Sequence, residues 1–202
     1  MSSTGNGAIP FGLRDVTVQA GDHIANFYRG DAEMLGVLGP YVAEGLRRGE
    51  RCAVISSPAT AERLREWLRS RDLDPAAAQE SGQLIFHPGE ATAADMRALF
   101  ERLDAESRDA GYKFVRVAGD GGWALDGRAS TEEMLRWEAL YDQLSGDWQI
   151  LALCQFDMTR FGGDVVMDAL RSHPLTVVGQ AVLRNPYHTR PEVILQELAE
   201  RA

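Results

Sequence analysis

The segment Tyr28-Arg29-Gly30-Asp31-Ala32-Glu33 lies where a first strand passes through a tight turn into a helix. In nucleotide-binding α/β proteins that turn cradles phosphates, using successive backbone N–H groups and a lysine on the terminal phosphate. Here it carries one glycine, no Lys-Ser or Lys-Thr pair, and two acids, Asp31 and Glu33, at the start of the helix. Asp31 suits the N-cap, where its carboxylate would take the free N–H groups that a phosphate would otherwise use. The turn reads as a capped helix start or as a ligand contact through Tyr28 or Arg29. It does not read as a site of phosphoryl transfer.

Ligands of open α/β sheets bind beyond the carboxyl ends of the strands, and that rule selects the other candidates. His87 ends the third strand, just before Pro88. After the fourth comes Gly119-Asp120-Gly121-Gly122-Trp123. Asp120 falls where an ATPase acid would hold magnesium, but without the lysine and hydroxyl it lacks its partners. The glycines permit close backbone approach to a ligand or simply a flexible crossover. Trp123 could floor a pocket or pack. After the fifth strand, Gln155, Asp157 and Arg160 could fix a small polar ligand, or the last two could pair with each other. The candidate ligand set is Tyr28, Arg29, His87, Asp120, Trp123, Gln155, Asp157 and Arg160, with no catalytic residue among them.

The four histidines, His23, His87, His173 and His188, are scattered. None has i, i+4 or HExxH spacing, so the sequence gives no zinc site, and no metal or cofactor is expected. His173, before Pro174, reads as a turn residue. There is no Gly-x-Ser-x-Gly elbow for a serine hydrolase. Cys52 and Cys154 lie inside apolar strands and read as buried, reduced thiols, not as nucleophiles.

The elements that must position these residues alternate. Strands are expected at Asp22–Tyr28, Arg51–Ser56, Gln83–His87, Phe114–Ala118 and Ile150–Phe156. Helices are expected at Met34–Arg47, from Pro58 to Ser70, in a short Ala-rich stretch ending at Gly82, after Thr92, after Ser130, at Asp164–Arg171 and from Pro191. Ser57-Pro58, Thr92 and the Ser130/Glu133 capping box mark helix starts. Gly179-Gln180 signals a hairpin between Leu175–Val178 and Ala181–Arg184. Strand-helix alternation implies a mostly parallel sheet with helices on both faces, and the hairpin adds antiparallel strands at one edge. Residues 1–15, rich in Ser, Gly and Asn, read as a mobile segment before one domain over 16–202.

A net charge of −9 over 202 residues, with no Lys/Arg run, argues against a nucleic-acid surface. No stretch of about 18 apolar residues is present, so no membrane span is expected. The N-terminus lacks a basic region followed by an apolar core, so no signal peptide is expected and a cytoplasmic location follows.

Several segments, taken together and in order, resemble the MEDS family of sensory domains from methanogen and methylotroph regulators. They are His23-Ile-Ala-Asn-Phe-Tyr-Arg29, Gly45-Leu-Arg-Arg-Gly-Glu-Arg-Cys52, Ser81-Gly-Gln-Leu84, Val115-Arg-Val-Ala-Gly-Asp-Gly-Gly-Trp-Ala124, Leu153-Cys-Gln-Phe-Asp157 and His173-Pro-Leu175. The resemblance implies a three-layer α/β/α RecA-like sandwich, similar to the ATPase core of circadian-clock proteins, with a degenerate P-loop. It also implies sensing of small molecules, and family members are often joined to DNA-binding, kinase or anti-sigma-type modules. The residues outside the domain are too few for such a module. The expectation is therefore a non-enzymatic sensor that binds a small organic or nucleotide-like ligand. It would signal to a separate kinase, anti-sigma factor or transcription regulator, with a homodimer possible and the final helix a candidate contact surface. The alternatives are a ligand-free interaction module and a divergent nucleotide hydrolase.

Overall fold

The computed structural model describes residues 8–125 and 127–201. A short hairpin, β1 (Ile9–Pro10) with β2 (Thr17–Val18), precedes the main sheet. The chain then runs β3 (His23–Tyr28), α1 (Gly30–Arg47), β4 (Arg51–Ile55), α2 (Pro58–Arg69), α3 (Pro75–Glu80), β5 (Leu84–His87), α4 (Ala93–Asp109) and β6 (Val115–Asp120). A 3-10 turn at Gly121–Ala124 leads to α5 (Thr131–Leu144) and β7 (Ile150–Asp157). Then come α6 (Gly163–Arg171), the hairpin β8 (Leu175–Val178) and β9 (Ala181–Arg184), and α7 (Pro191–Arg201). The main sheet has the order β5-β4-β6-β7-β3-β8-β9, parallel except for β9. The edge hairpin is the one that Gly179-Gln180 signals.

Alternation along each strand builds two cores. Ala25, Ala53, Ile55, Val117, Ala152 and Phe156 face α4, α5, α6 and α7. Ile24, Cys52, Val54, Ala118, Leu151 and Leu153 face α1, α2 and α3. Both faces of a parallel sheet are covered, so its strands read as near-continuous apolar runs.

Helix starts follow the sequence signals. Ser57, Asp74, Thr92 and Ser130 each accept a backbone N–H of the following turn. The start of α1 departs from expectation. It begins at Gly30, with Arg29 as a cap residue that makes no side-chain cap. Glu33, not Asp31, reaches back, and its carboxylate accepts the Arg29 N–H at 2.7 Å. Asp31 pairs instead with Arg63 on α2 at 2.8 Å.

The boundary expected after residue 15 is not one that the packing follows. Residues 1–7 of that segment lie outside the described residues. Ile9, Phe11 and Leu13 are buried against α1 in the second core. The final helix packs on its own molecule: Ile194 and Leu198 are buried in the first core, beside α5. No helix among the described residues is long and apolar enough to cross a membrane.

Candidate functional site

Parallel register brings the strand ends to one edge. Tyr28 lies opposite Asp157, and Asp120 opposite Gln155. Asp120 is nearly buried and held from two sides. Its Oδ1 accepts the Gly122 N–H at 3.0 Å, and its Oδ2 accepts the Thr60 hydroxyl of α2 at 3.2 Å. Gln155 accepts from the Asn26 amide at 3.0 Å, a buried pair bridging β7 and β3. Asp157 caps its own turn, accepting the N–H and hydroxyl of Thr159 at 2.8 and 2.7 Å. The Arg160 guanidinium lies over the glycine turn, since a Cβ on Gly122 would sit 2.8 Å from its Nη1. Burial, with Asp120 and Asp157 nearby, pushes the Tyr28 phenol well up, so it stays a hydrogen-bond donor. Five of the eight expected residues thus converge: Tyr28, Asp120, Gln155, Asp157 and Arg160.

Trp123 stands beside them on the 3-10 turn. It walls a cleft of ≈ 420 Å³ with Ser56, Ser57, Pro58, Pro88, Gly127 and Arg128. A second groove of ≈ 410 Å³ lies between Tyr28, Glu33 and Gly36 on one side and Gly179-Gln180 on the other. His87 lines neither. Its Nδ1 accepts the Gly89 N–H at 3.1 Å, and Nε2 lies 3.6 Å from Glu90. Arg29 is exposed at the cap of α1.

The structure also assembles a cluster whose members no local sequence pattern groups. His23 at the start of β3, Glu138 on α5, Cys154 on β7 and His173 after α6 present donor atoms all within 4.8 Å of one another. His23 Nε2 is 3.1 Å from Glu138 Oε2 and 3.5 Å from Cys154 Sγ. His173 Nε2 is 3.4 Å from the same Glu138 oxygen yet makes no hydrogen bond. Burial opposes ionisation of Glu138, but the two imidazoles beside it overcome that and hold its carboxyl at about 2. Burial pushes the Cys154 thiol well up, and Glu138 adds to this. A nucleophilic cysteine needs the opposite shift. His173 lies in the turn between α6 and β8, as His173-Pro174 suggests, but it is also fully buried, its ring tilted against that of His23 with centroids 3.8 Å apart.

Glu138 escaped notice because it lies on the inner face of an ordinary amphipathic helix. Its i, i+4 partner Asp142 was the available signal: two acids one turn apart, both turned toward the sheet. Asp142 lies 3.7 Å from His23 Nδ1 and pairs with His188 at 2.8 Å.

The MEDS family, described as "MEthanogen/methylotroph, DcmR Sensory domain", matches residues 22–174. The transcriptional repressor DcmR of Methylorubrum extorquens is 31% identical over 153 residues, 75% of this chain and 58% of the repressor. The chain thus spans under two thirds of that relative. Among solved structures, the flagellar accessory protein FlaH of Methanocaldococcus jannaschii aligns with a TM-score of 0.58 at 10% identity, over 88% of this chain and 84% of that one. The KaiC-like protein PH0186 of Pyrococcus horikoshii OT3 aligns with a TM-score of 0.61 at 9% identity, over 85% and 79%. At such identities the likeness is one of fold, and the fold is RecA-like. The matched stretch contains the convergent strand-edge residues, Trp123 and all four members of the buried cluster. The chain belongs to the MEDS family of sensory domains.

Proposed function

We propose that this chain is a non-catalytic sensory domain that takes a small organic or nucleotide-like ligand at the carboxyl edge of its sheet. Binding would be relayed to a partner protein that acts on transcription: a kinase, an anti-sigma factor or a repressor. The observation that carries this reading is the Trp123 cleft. It opens at the strand ends, with an indole for an apolar wall and Ser56, Ser57 and Arg128 for polar ones. Such a mix suits a small ligand with one polar or anionic group. Kinship with the sensory region of a repressor supports the regulatory role.

Hydrolysis finds little support. Both Asp120 oxygens are engaged by protein donors, and the turn before α1 has no lysine and carries Asp31 and Glu33. Those acids repel a phosphate at the amino end of α1. A ligand in the cleft would bear on the amino end of α2 and on the 3-10 turn, whose positions Thr60 and Asp120 tie together.

A thermal-shift screen over nucleotides and small organic compounds tests the reading. A compound present at a hundred times its Kd adds about 2.7 kcal/mol to stability. Trp123→Ala and Arg128→Ala should each weaken that compound roughly ten-fold, about 1.4 kcal/mol. One observation favours a ligand-free interaction module: Trp123 is only 4% exposed, so the protein fills much of its own cleft. If no compound stabilises the chain while its partner binds normally, that module is the better description.

A further inference from the structure

We propose that His23, Glu138, Cys154 and His173 form a four-ligand centre for a divalent transition metal, with zinc the ion that fits the donor set best. Four elements far apart in sequence deliver one donor each to a point beneath α5. A tetrahedral ion with bonds of about 2.0–2.3 Å has ligand–ligand edges of about 3.3–3.8 Å. Three of the six edges are 3.1 Å from His23 to Glu138, 3.5 Å from His23 to Cys154 and 3.4 Å from His173 to Glu138, near that range, and all six are within 4.8 Å, so the side chains need shift only slightly to close on an ion. One sulfur, two imidazole nitrogens and one carboxylate make the borderline-soft set that zinc takes. A thiolate and a carboxylate together also balance the two positive charges, leaving a neutral centre in a buried place.

The outer partners point the same way. Imidazoles that bind a metal through one nitrogen donate the other to a carbonyl or carboxylate. His173 Nδ1 lies 2.7 Å from the Ala169 carbonyl, which leaves Nε2 directed at the centre. His23 Nδ1 faces Asp142 at 3.7 Å, too long for a hydrogen bond, and His188 holds Asp142 in place from the far side at 2.8 Å. His173 Nε2 is fully buried and meets only the Glu138 carboxylate, at 3.4 Å and without a hydrogen bond, which leaves this nitrogen poorly satisfied. Coordination satisfies it. The nearby Tyr141 hydroxyl is orphaned as well. Glu138, Tyr141 and Cys154 border an interior void of ≈ 20 Å³, room for one water-sized group beside the ion. Trp123 lines this void and the outer cleft alike.

Cobalt(II) titration of the full chain, stripped with chelator and checked for folding by circular dichroism, tests the centre. The expected result is one cobalt per chain, with intense tetrahedral d–d absorption, a sulfur-to-metal charge-transfer band, and loss of both on adding one equivalent of zinc. Cys154→Ser should lose the charge-transfer band. His173→Gln should weaken binding at least about ten-fold, since loss of even an outer partner does that much. Cys52→Ser, at the buried thiol that contacts the Val42 carbonyl on the other sheet face, should leave both signals intact. Failure of the folded, stripped wild type to bind cobalt or zinc stoichiometrically overturns the proposal. So does a thiolate band that survives Cys154→Ser or vanishes with Cys52→Ser. None of these readouts depends on a ligand in the Trp123 cleft.

Discussion

Arg116 is the second residue of β6, an interior strand of the sheet, and is fully buried, a position where an unpaired charge is not tolerated. Glu50 takes its Nε, the Phe11 carbonyl takes Nη1 at 3.0 Å, the Pro10 carbonyl takes Nη2 at 2.6 Å, and the Tyr41 ring lies 5.1 Å away. Gly45 makes room, because a Cβ there would sit 2.7 Å from the Arg116 Cδ. The motif Gly45-Leu-Arg-Arg-Gly-Glu-Arg-Cys52 is thus the housing of one guanidinium, and that guanidinium fastens the N-terminal hairpin to the sheet. Arg116→Ala leaves the Glu50 carboxylate with only Arg48, at 2.7 Å, and empties a buried site, and should cost about 3–5 kcal/mol, read as a lowered urea midpoint. Glu50→Gln with Arg116→Met should cost less than the single change.

His87 gives a prediction in pH. Burial lowers its pKa first, Arg102 and Arg128 add to this, and Glu90 opposes. Its Nδ1 accepts the Gly89 N–H, a bond only the neutral ring makes. A histidine whose folded pKa lies below its unfolded value of about 6.5 contributes stability above that value and loses it as pH falls. Stability should therefore decline below about pH 6.5, with a smaller decline in His87→Gln. Equal slopes in the two proteins would refute this.

At the scale of elements, α1 and α2 meet at a glycine. A Cβ on Gly39 would sit 2.5 Å from the Trp67 ring, whereas one on Gly36, a turn earlier in the same helix, would meet nothing within 4 Å. Gly36→Ala should stabilise by about 0.5–1 kcal/mol through helix propensity alone. Gly39→Ala should instead destabilise by about 1–3 kcal/mol, because the indole must move. Chemical denaturation of the two variants separates propensity from contact. Element types and starts were largely legible, since a cap residue and apolar spacing are local. Serine and threonine caps fall where expected because their hydrogen bonds reach only two or three residues. The start of α1 departs from its local signals for the same reason: both acids can cap locally, but Arg63, thirty-two residues on, draws Asp31 away.

At the scale of the molecule, β3 sits between β7 and β8, so the first strand of the main sheet is a central one. That placement puts Tyr28 next to Asp157 and puts His23 beneath α5. The closing helix belongs to the same body. Ile194 and Leu198 are buried, and Arg171 grips Glu197 at 2.8 and 2.9 Å. Leu198→Ala should lower stability by about 2–5 kcal/mol as a core truncation. A cost under 0.5 kcal/mol, typical of a surface site, would mean that α7 is not part of the folded unit.

The sequence by itself determined the alternation of strands and helices, the covered parallel sheet, the edge hairpin and the list of polar residues at strand ends. Each of these rests on periodicity, capping or turn chemistry within a few residues. It also carried the family, through motifs spread along the chain. Only the tertiary structure decided which of those polar residues converge. It placed Trp123 at a cleft, left His87 and Arg29 outside it, and drew Ile9, Phe11 and Leu13 into the core around a buried arginine. It alone joined His23 to Glu138, Cys154 and His173. The physical reason is register: strand order and pairing set which distant side chains share a face, and no local pattern encodes a partner 115 or 131 residues away.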